Sequence, residues 1–215
     1  MKVAGVIFDL DGTLIDSIGG ITAALNEALA DGGFPAVDAA HVRGIVGDGP
    51  RNLCRRALGD ADRDDDVVAR TLVRFLERYA AAPVRDTAPF PGVPEVLDRL
   101  APRPLGVCTN KGRRVAGLVL DAFDITRRLQ AVVAEDDLPW RKPDPRPLLR
   151  LAERLGTIPL ETLVVGDGRQ DILAARAAGM PSCALLQGYT GRDALLDARP
   201  NHVLERIADL PRLVA

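Results

Sequence analysis

Short apolar runs alternate with helical patterns along most of this chain, and the alternation limits the folds that it can adopt. The runs are rich in Val, Ile and Leu and occupy residues 3–8, 105–108, 129–134, 163–165 and 183–186. A continuous apolar run between helices is typical of a parallel strand that is buried on both faces. The pattern therefore predicts an α/β fold with a doubly wound parallel sheet.

Glycines mark the ends of two helices in this alternating pattern. Residues 144–155 precede Gly156, and residues 169–178 precede Gly179. Glycine is common directly after a helix because it adopts the left-handed conformation without steric cost. We therefore expect both helices to end at these glycines.

The segment from about Ser17 to Arg85 departs from the alternation, and its pattern predicts helices throughout. Ser17 can cap a first helix that carries an apolar stripe. Pro50 follows Asp48 and Gly49 at a second helix start, and acidic residues from Asp62 to Asp66 begin a third helix. We therefore predict a core domain of residues 1–16 and 86–215 and a small α-helical domain of residues 17–85, inserted after the first strand.

The composition argues against several classes of function. The 215 residues carry a formal net charge of −2, which disfavours nucleic-acid and anionic-membrane partners. No apolar run approaches the ~18 residues of a membrane-spanning helix. The three cysteines lack the spacing of a zinc site, and the two histidines are too few for a histidine-rich metal centre. We expect a cytoplasmic monomer or homodimer that binds neither membranes nor nucleic acids.

Polar residues follow four of the predicted strands at the point where each strand ends. In chain order they are residues 9–13, residues 109–110, residues 135–137 with the nearby Lys142, and residues 166–168 with Asp171. Ligands of open α/β sheets bind beyond the carboxyl ends of the strands. Taken singly, each residue has an ordinary explanation as a helix cap or a solvated side chain, but together they predict one site.

The carboxylates at these strand ends predict a bound metal ion. The acidic side chains are Asp9, Asp11, Asp167 and Asp171. Like charges at short range require a cation or raised pKa values. Oxygen ligands without histidine or cysteine favour a hard ion, Mg²⁺ above all. Mg²⁺ beside a lysine and a hydroxyl can clamp a phosphoryl group, which a nearby carboxylate can attack, and Gly12 lets backbone N–H groups approach the phosphate.

These motifs resemble those of the haloacid dehalogenase superfamily of phosphatases. The resemblance is carried by the segment Asp-Leu-Asp-Gly-Thr-Leu at residues 9–14, by Thr109, by Lys142 and by Gly-Asp-x-x-x-Asp at residues 166–171, and it covers essentially the whole chain. It implies a Rossmann-like core whose helical insert is a cap that closes over the site and selects the substrate. It also implies that Asp9 is the nucleophile and Asp11 the general acid and base.

The same resemblance implies the metal and phosphate ligands. Mg²⁺ would be held by Asp9, Asp167 and the backbone carbonyl of Asp11, with support from Asp171. The phosphoryl oxygens would be bound by Thr109, Asn110 and Lys142. Asp11 favours phosphoryl transfer over dehalogenation, because dehalogenating members resemble sequences that lack a carboxylate two residues after the nucleophile.

Within that superfamily the chain most resembles the phosphoglycolate phosphatases. The similar segments are residues 46–49, 91–93, 138–145 and 188–191. The chain has Gly168, Gln170 and Asp48 where that family usually has Ser, Asn and Asn, and an acid at 48 that faced the site would repel a dianionic substrate. The resemblance implies Mg²⁺-dependent hydrolysis of a small phosphorylated metabolite, 2-phosphoglycolate, to glycolate and phosphate.

The Gly-rich loop of the helical insert has two interpretations. The backbone N–H groups of Gly47 and Gly49, together with Arg51 or Arg43, could bind a substrate carboxylate. Alternatively, the loop is an ordinary turn between helices, with Pro50 at the start of the next helix. Lys111, close to Thr109, could contribute to phosphate binding, but we expect it to be solvated at a helix start.

Three other functions share parts of this pattern. Phosphatases of sugar or amino-sugar phosphates share most of these features. Phosphomutases resemble the core but carry a histidine and a lysine early in the cap, whereas residues 17–85 contain no lysine and only His41. A phospho-acceptor signalling module gathers similar residues but lacks a helical insert and a second carboxylate such as Asp11.

Overall fold

A six-stranded parallel sheet forms the centre of the fold. The computed structural model describes residues 2–59 and 64–214. In chain order the sheet strands are β1 (Gly5–Phe8), β4 (Leu105–Cys108), β5 (Ala131–Val133), β6 (Thr162–Gly166), β7 (Ser182–Leu185) and β8 (His202–Leu204). Their order across the sheet is β5-β4-β1-β6-β7-β8. Because all neighbouring strands are parallel, their carboxyl ends lie at one edge.

Helices cover both faces of this sheet, as the alternation of sequence patterns predicts. They are α5 (Val93–Leu100), α6 (Arg113–Ala122), α7 (Arg146–Leu155), α8 (Arg169–Ala177), α9 (Arg192–Asp197) and α10 (Leu210–Leu213). Successive strand residues point to opposite faces. Accordingly, Val6 and Phe8 pack in one apolar cluster with α5 and α6, whereas Ile7 packs in another with α7 and α8. The predicted doubly wound α/β fold is confirmed.

The observed elements differ from the predicted ones at their ends. Helix α7 begins at Arg146 rather than at residue 144. The Asp144 side chain accepts a hydrogen bond from the Arg146 backbone N–H, so Asp144 lies before the helix and not within it. Gly156 and Gly179 have φ angles of 67° and 69°, so both predicted left-handed glycines are confirmed. Strand β8 adds a sixth strand after the five apolar runs.

Among the described residues, four helices lie between β1 and α5. They are α1 (Ile18–Ala30), α2 (Ala39–Ile45), α3 (Pro50–Ala57) and α4 (Asp65–Ala81). Helix α2 was not predicted separately from the sequence. Val42 is its one buried residue, so it lacks the apolar stripe that indicates a helix. Asp62 and the start of the acidic run lie outside the described residues, while Asp64 caps α4 through the Asp66 backbone N–H.

A short antiparallel ribbon joins this helical insert to the sheet domain. Strand β2 (Ile15–Asp16) pairs with β3 (Ala88–Pro89), so the chain leaves and re-enters the core side by side. Helix α4 packs against α1 and α3 and also contacts α6 of the core. The ribbon lies close to both domain boundaries predicted above. Among the described residues, no helix is long and apolar enough to cross a membrane.

Candidate active site

Three loops at the carboxyl edge of the sheet bring the predicted polar residues together. Asp9 follows β1, Thr109 follows β4 and Asp167 follows β6. The Asp9 backbone N–H donates to the Val165 carbonyl at 2.9 Å, and the Thr109 N–H donates to the Val133 carbonyl at 2.9 Å. These bonds extend the strand pairing by one residue and therefore hold both side chains at the end of the sheet.

A buried carboxylate cluster lies at this edge. Asp9, Asp167 and Asp171 each offer an oxygen within 4.8 Å of the others. The Nζ atom of Lys142 lies 2.8 Å from Asp9 Oδ1 and 2.6 Å from Asp171 Oδ1, and it donates to the Cys108 carbonyl at 2.6 Å. Lys142 is only 2% exposed, so its charge interacts mainly with these protein groups.

The electrostatics of the cluster follow from burial and mutual repulsion. Burial and the nearby Asp171 raise the pKa of Asp9 to about 7, against the opposing effect of Lys142. Burial and the charges of Asp9 and Asp171 raise the pKa of Asp167 well above its usual value. Burial lowers the pKa of Lys142, but the charges of Asp171 and Asp9 outweigh it and raise the pKa overall. The site therefore disfavours three unpaired carboxylates.

The donor set of this cluster fits a divalent cation. The cluster combines three carboxylates with one ammonium group, which pairs with Asp9 and Asp171, so negative charge is in excess if all three carboxylates ionise. The oxygen atoms are hard ligands of the kind that bind Mg²⁺, Mn²⁺ or Ca²⁺. A metal ion would relieve the repulsion that raises the carboxylate pKa values.

Gly12 packs directly against the Asp167 carboxylate of the cluster. Its φ angle is +83°, and a Cβ atom at this position would lie 2.2 Å from Asp167 Oδ2. Thr13 Oγ1 donates to Asp167 Oδ1 at 2.8 Å, and the Tyr189 backbone N–H donates to Oδ2 at 2.8 Å. The tight packing of Gly12 is therefore against Asp167, and its predicted contact with phosphate stays a prediction.

The Asp11 side chain is not a member of the three-carboxylate cluster. Its Oδ1 accepts a hydrogen bond from the Ser17 hydroxyl at 2.5 Å and another from Lys111 Nζ at 2.8 Å. Ser17 occupies the position before α1, but its side chain makes no capping hydrogen bond. The predicted capping role of this side chain is therefore wrong, since the hydroxyl binds Asp11 instead.

Lys111 is buried, which contradicts its expected place in solvent. It is 8% exposed, and its Nζ donates to Asp11 and, at 2.7 Å, to the hydroxyl of Tyr79. Burial opposes the charged form, but Asp11 and Tyr79 raise the pKa of Lys111 overall. Asp9 and Asp11 are thus each paired with a different buried lysine.

Thr109 and Asn110 differ in the donors that they leave free. The Thr109 hydroxyl accepts a hydrogen bond from the Lys111 backbone N–H at 3.1 Å, so its own proton can point elsewhere. The Asn110 side chain donates to the Gly47 carbonyl at 2.9 Å and to the Lys142 carbonyl at 3.0 Å, and it accepts from the Lys142 N–H. Its amide therefore connects the helical insert to the loop that carries Lys142.

The Gly-rich loop of the insert faces the site through its backbone. Gly47 and Gly49 have positive φ angles and line the cleft. Arg51, in contrast, is absent from the cleft lining and pairs with Asp65 at 3.1 Å. Asp48 forms an ion pair with Arg56 at the surface, so it does not present its charge to the cleft.

A cleft between the helical insert and the core is lined by several of these groups, namely Asp9, Asp11, Thr109, Asn110, Lys111 and Asp167, whereas Lys142 and Asp171 are not part of its lining. It encloses about 710 Å³, part of it open to solvent. The core side presents polar residues, and the insert contributes an apolar wall. This apolar wall consists of Ile21, Val46, Leu53, Phe75 and Leu76.

Sequence reasoning missed two tyrosines that hold the site together. Tyr79 lies in α4 and contacts Lys111, and the Tyr189 hydroxyl accepts a hydrogen bond from the Ser17 backbone N–H at 2.7 Å. Tyr79 belongs to an apolar helix stripe, which gives no sign of a polar contact. Tyr189 lies in the loop of residues 188–191, whose similarity to the phosphoglycolate phosphatases was the one sequence feature that could have indicated a role at the site.

Comparisons with known proteins identify the family of this chain. A family model for haloacid dehalogenase-like hydrolases matches residues 6–185. The chain is 42% identical to a phosphoglycolate phosphatase of Rhodospirillum rubrum over 86% of this chain and 80% of the relative. It is 37% identical to a phosphoglycolate phosphatase of Escherichia coli K12 over 97% of this chain and 91% of the relative.

Solved structures show the same architecture. A predicted phosphoglycolate phosphatase from Haemophilus somnus superposes with a TM-score of 0.91 at 27% identity, covering 100% of this chain and 99% of that one. A hydrolase from Pseudomonas syringae superposes with a TM-score of 0.81 at 29% identity, covering 97% of this chain and 96% of that one. The chain therefore belongs to the haloacid dehalogenase-like hydrolase family, as the motifs at its strand ends indicated.

Proposed function

We propose that this chain, a phosphoric monoester hydrolase, cleaves 2-phosphoglycolate through an aspartyl-phosphate on Asp9. One observation carries the proposal: Asp9 and Asp11 line the same cleft, and each is paired with its own buried lysine. Two carboxylates in separate ionic settings suit two different tasks, one as nucleophile and one in proton transfer.

The first step forms one bond to phosphorus and breaks another. An Asp9 carboxylate oxygen attacks the phosphorus atom while the bond to the alcohol oxygen breaks. Asp11 gives its proton to that leaving oxygen, so the products are the free alcohol and phospho-Asp9. Water then attacks phosphorus, Asp11 takes a proton from it, and cleavage of the Asp9–phosphate bond returns the free carboxylate.

Other polar groups near Asp9 bind the phosphoryl group. The Thr109 hydroxyl is the side-chain donor that we assign to the phosphoryl oxygens, because its proton is free. Lys142 supplies positive charge beside them, since its three N–H groups already contact Asp9, Asp171 and the Cys108 carbonyl. Asn110 has committed its side chain to Gly47 and Lys142, so its backbone N–H is the group that we assign to phosphate. Gly47 and Gly49 line the cleft with their backbone, and we assign their N–H groups to the substrate carboxylate.

A divalent ion completes the site in this proposal. Asp9 and Asp167 would hold it together with the Asp11 carbonyl, with Asp171 as support, and we propose Mg²⁺ because every donor is an oxygen. When bound, this ion supplies positive charge that neutralises the phosphoryl oxygens.

The substrate assignment draws on relatives and on the charges around the cleft. The similar proteins from Rhodospirillum rubrum and Escherichia coli are phosphoglycolate phosphatases, and this chain covers 80% and 91% of their lengths. Asp48 forms an ion pair with Arg56 at the surface. The sequence alone suggested that an acid at this position could repel an anionic substrate, and the ion pair removes that objection.

The apolar wall supports a second candidate, a phosphatase of a larger and less charged sugar phosphate. Within the part of the chain that the structure describes, the cleft lining includes no arginine, and Lys111 already binds Asp11. A substrate carboxylate would then be met mainly by backbone N–H groups. A sugar ring, in contrast, could pack its carbon face against Phe75 and Leu76.

Phosphate release from 2-phosphoglycolate and from a sugar phosphate, each with Mg²⁺, tests both candidates. We expect a kcat/KM of about 10⁴ M⁻¹s⁻¹ or more for the native substrate. A competent rate on the sugar phosphate alone would favour the second candidate.

A nucleophile variant tests the mechanism that both candidates share. Asp9→Asn should retain less than about a hundredth of the wild-type kcat, since loss of a nucleophile costs several powers of ten. Larger residual activity in this variant would contradict the assigned nucleophile, whichever substrate is used.

A further inference from the structure

We propose that Lys111 and Tyr79 position Asp11 for proton transfer to the leaving group, so that a residue of the helical insert controls the acid step. The inference rests on the proposed function, because it assigns to Asp11 the proton transfer described above. It adds two positioning residues, one from the core and one from the insert.

The contacts of Lys111 point to this role. Its Nζ lies 2.8 Å from Asp11 Oδ1 and 3.2 Å from Oδ2, so the ammonium spans both oxygens of the carboxylate. Its other polar contact is the Tyr79 hydroxyl at 2.7 Å. The same ammonium lies 4.2 Å from the centre of the Tyr79 ring, a distance that permits a cation–π interaction. The carboxylate is thus held by a group that is itself held by the insert.

The burial of Lys111 makes its position well defined. A buried ammonium is costly unless its charge is paired and hydrogen-bonded, and Asp11 and Tyr79 provide both. The chain contains 28 basic residues, of which only Lys2, Lys111 and Lys142 are lysines. Lys2 is exposed, whereas the other two are buried and serve Asp11 and Asp9 separately. A compact ammonium fits these two places, where a planar guanidinium would need more space.

Tyr79 transmits the position of the insert to the core. It lies near the end of α4, is 3% exposed, and packs its ring 5.6 Å from the ring of Phe75 in the apolar wall. Helix α4 also contacts α6, which follows Lys111 in the chain. A side chain fixed by this packing has little freedom, so its hydroxyl defines where the ammonium can lie.

Leaving groups of different acidity separate this role from a general effect on the fold. An acidic phenol leaves without much help from a proton donor, whereas an alkyl alcohol needs the proton. We would measure kcat/KM for a series of phosphomonoesters, from p-nitrophenyl phosphate to 2-phosphoglycolate and 2-hydroxyethyl phosphate, because kcat/KM reports the first transfer to the enzyme.

The variants are Lys111→Met, which keeps the length of the side chain, and Tyr79→Phe, which removes only the hydroxyl. General acid catalysis contributes roughly 10²–10⁴-fold, so partial misplacement of Asp11 should cost about tenfold or more on alkyl phosphates. We expect a clearly smaller loss on p-nitrophenyl phosphate. Lys2→Met is the matched control, since Lys2 is exposed and pairs with Glu161.

Coupling between the two variants tests whether Tyr79 acts through Lys111. If it does, the double variant should lose no more than Lys111→Met alone, because the single change already breaks the path. Additive losses would show that Tyr79 acts independently, which would overturn the part of the proposal that involves the insert.

Other outcomes would also overturn the proposal. An equal loss on all esters would give Lys111 a structural or phosphate-binding role. A loss confined to 2-phosphoglycolate, with 2-hydroxyethyl phosphate spared, would make Lys111 a ligand of the substrate carboxylate. If Lys111→Met does not fold, Tyr79→Phe alone decides the question by the same ratio. Failure of the wild-type protein on every ester would refute the proposed function rather than the positioning role.

Discussion

Removing the charge of Lys142 is the most direct test of the electrostatics in this site. Lys142→Met replaces a buried ammonium by an uncharged side chain of similar length. The change leaves Asp9 and Asp171 without the cation that lies 2.8 Å and 2.6 Å from them. The folded protein must then bury carboxylates without a partner or take up protons.

The size of the effect follows from these two distances. At an effective dielectric constant of about 20, each contact is worth about 6 kcal/mol before the cost of burying the ammonium is subtracted. Losing one partner of a buried ion pair costs roughly 3–5 kcal/mol after that subtraction. For a protein of this size, such a loss lowers the melting temperature by about 6–20 °C.

Thermal and urea unfolding in the presence of EDTA would measure this loss without a bound cation. Lys2→Met is the control, because the exposed Lys2–Glu161 pair should contribute less than about 1 kcal/mol. A loss below about 1 kcal/mol in Lys142→Met would show that the carboxylates do not depend on the lysine, and it would refute the electrostatic argument for the cluster.

Three further predictions concern other parts of the core. Asp11→Asn should abolish turnover of alkyl phosphates yet accumulate a phospho-enzyme with p-nitrophenyl phosphate, detected as added mass; no such species would count against the two-step role. Gly12→Ala should destabilise the fold by roughly 1–3 kcal/mol because φ is +83°, whereas Gly44→Ala, which meets no atom within 4 Å in α2, should not destabilise it; equal unfolding curves would refute this. Burial alone would raise the pKa of Asp137, but the hydrogen bond and charge of Arg113 lower it overall. The ion pair between Asp137 and Arg113 therefore stabilises the fold above the unfolded pKa of ~3.9, and this stabilisation is lost as the pH falls through the folded pKa. Arg113→Met should therefore cost roughly 0.5–1 kcal/mol at pH 7 and less near pH 3, and a constant cost would contradict the assignment.

Local sequence patterns were sufficient for the α/β fold and for the location of the site. Strand and helix patterns depend on neighbours only a few positions away, so the apolar runs and their glycine ends could be read directly. The parallel arrangement then brings residues such as Asp9, Thr109 and Asp167 to one edge, because every strand ends there. Their assigned roles stay predictions, but their proximity followed from topology alone.

Only the tertiary structure decided which partner each polar side chain has. Lys111 and Asp11 are 100 positions apart, and the expectation that Lys111 is solvated was wrong because packing of α4 against the core buries it. Ser17 similarly binds Asp11 instead of capping α1, and Arg51 lies beside Asp65 rather than in the cleft. A side chain with several donors can satisfy them in many ways, and the choice depends on groups that distant segments bring within about 3 Å. The chemistry of this site therefore begins with residue types at strand ends, but the pairing of its charges is a property of the folded chain.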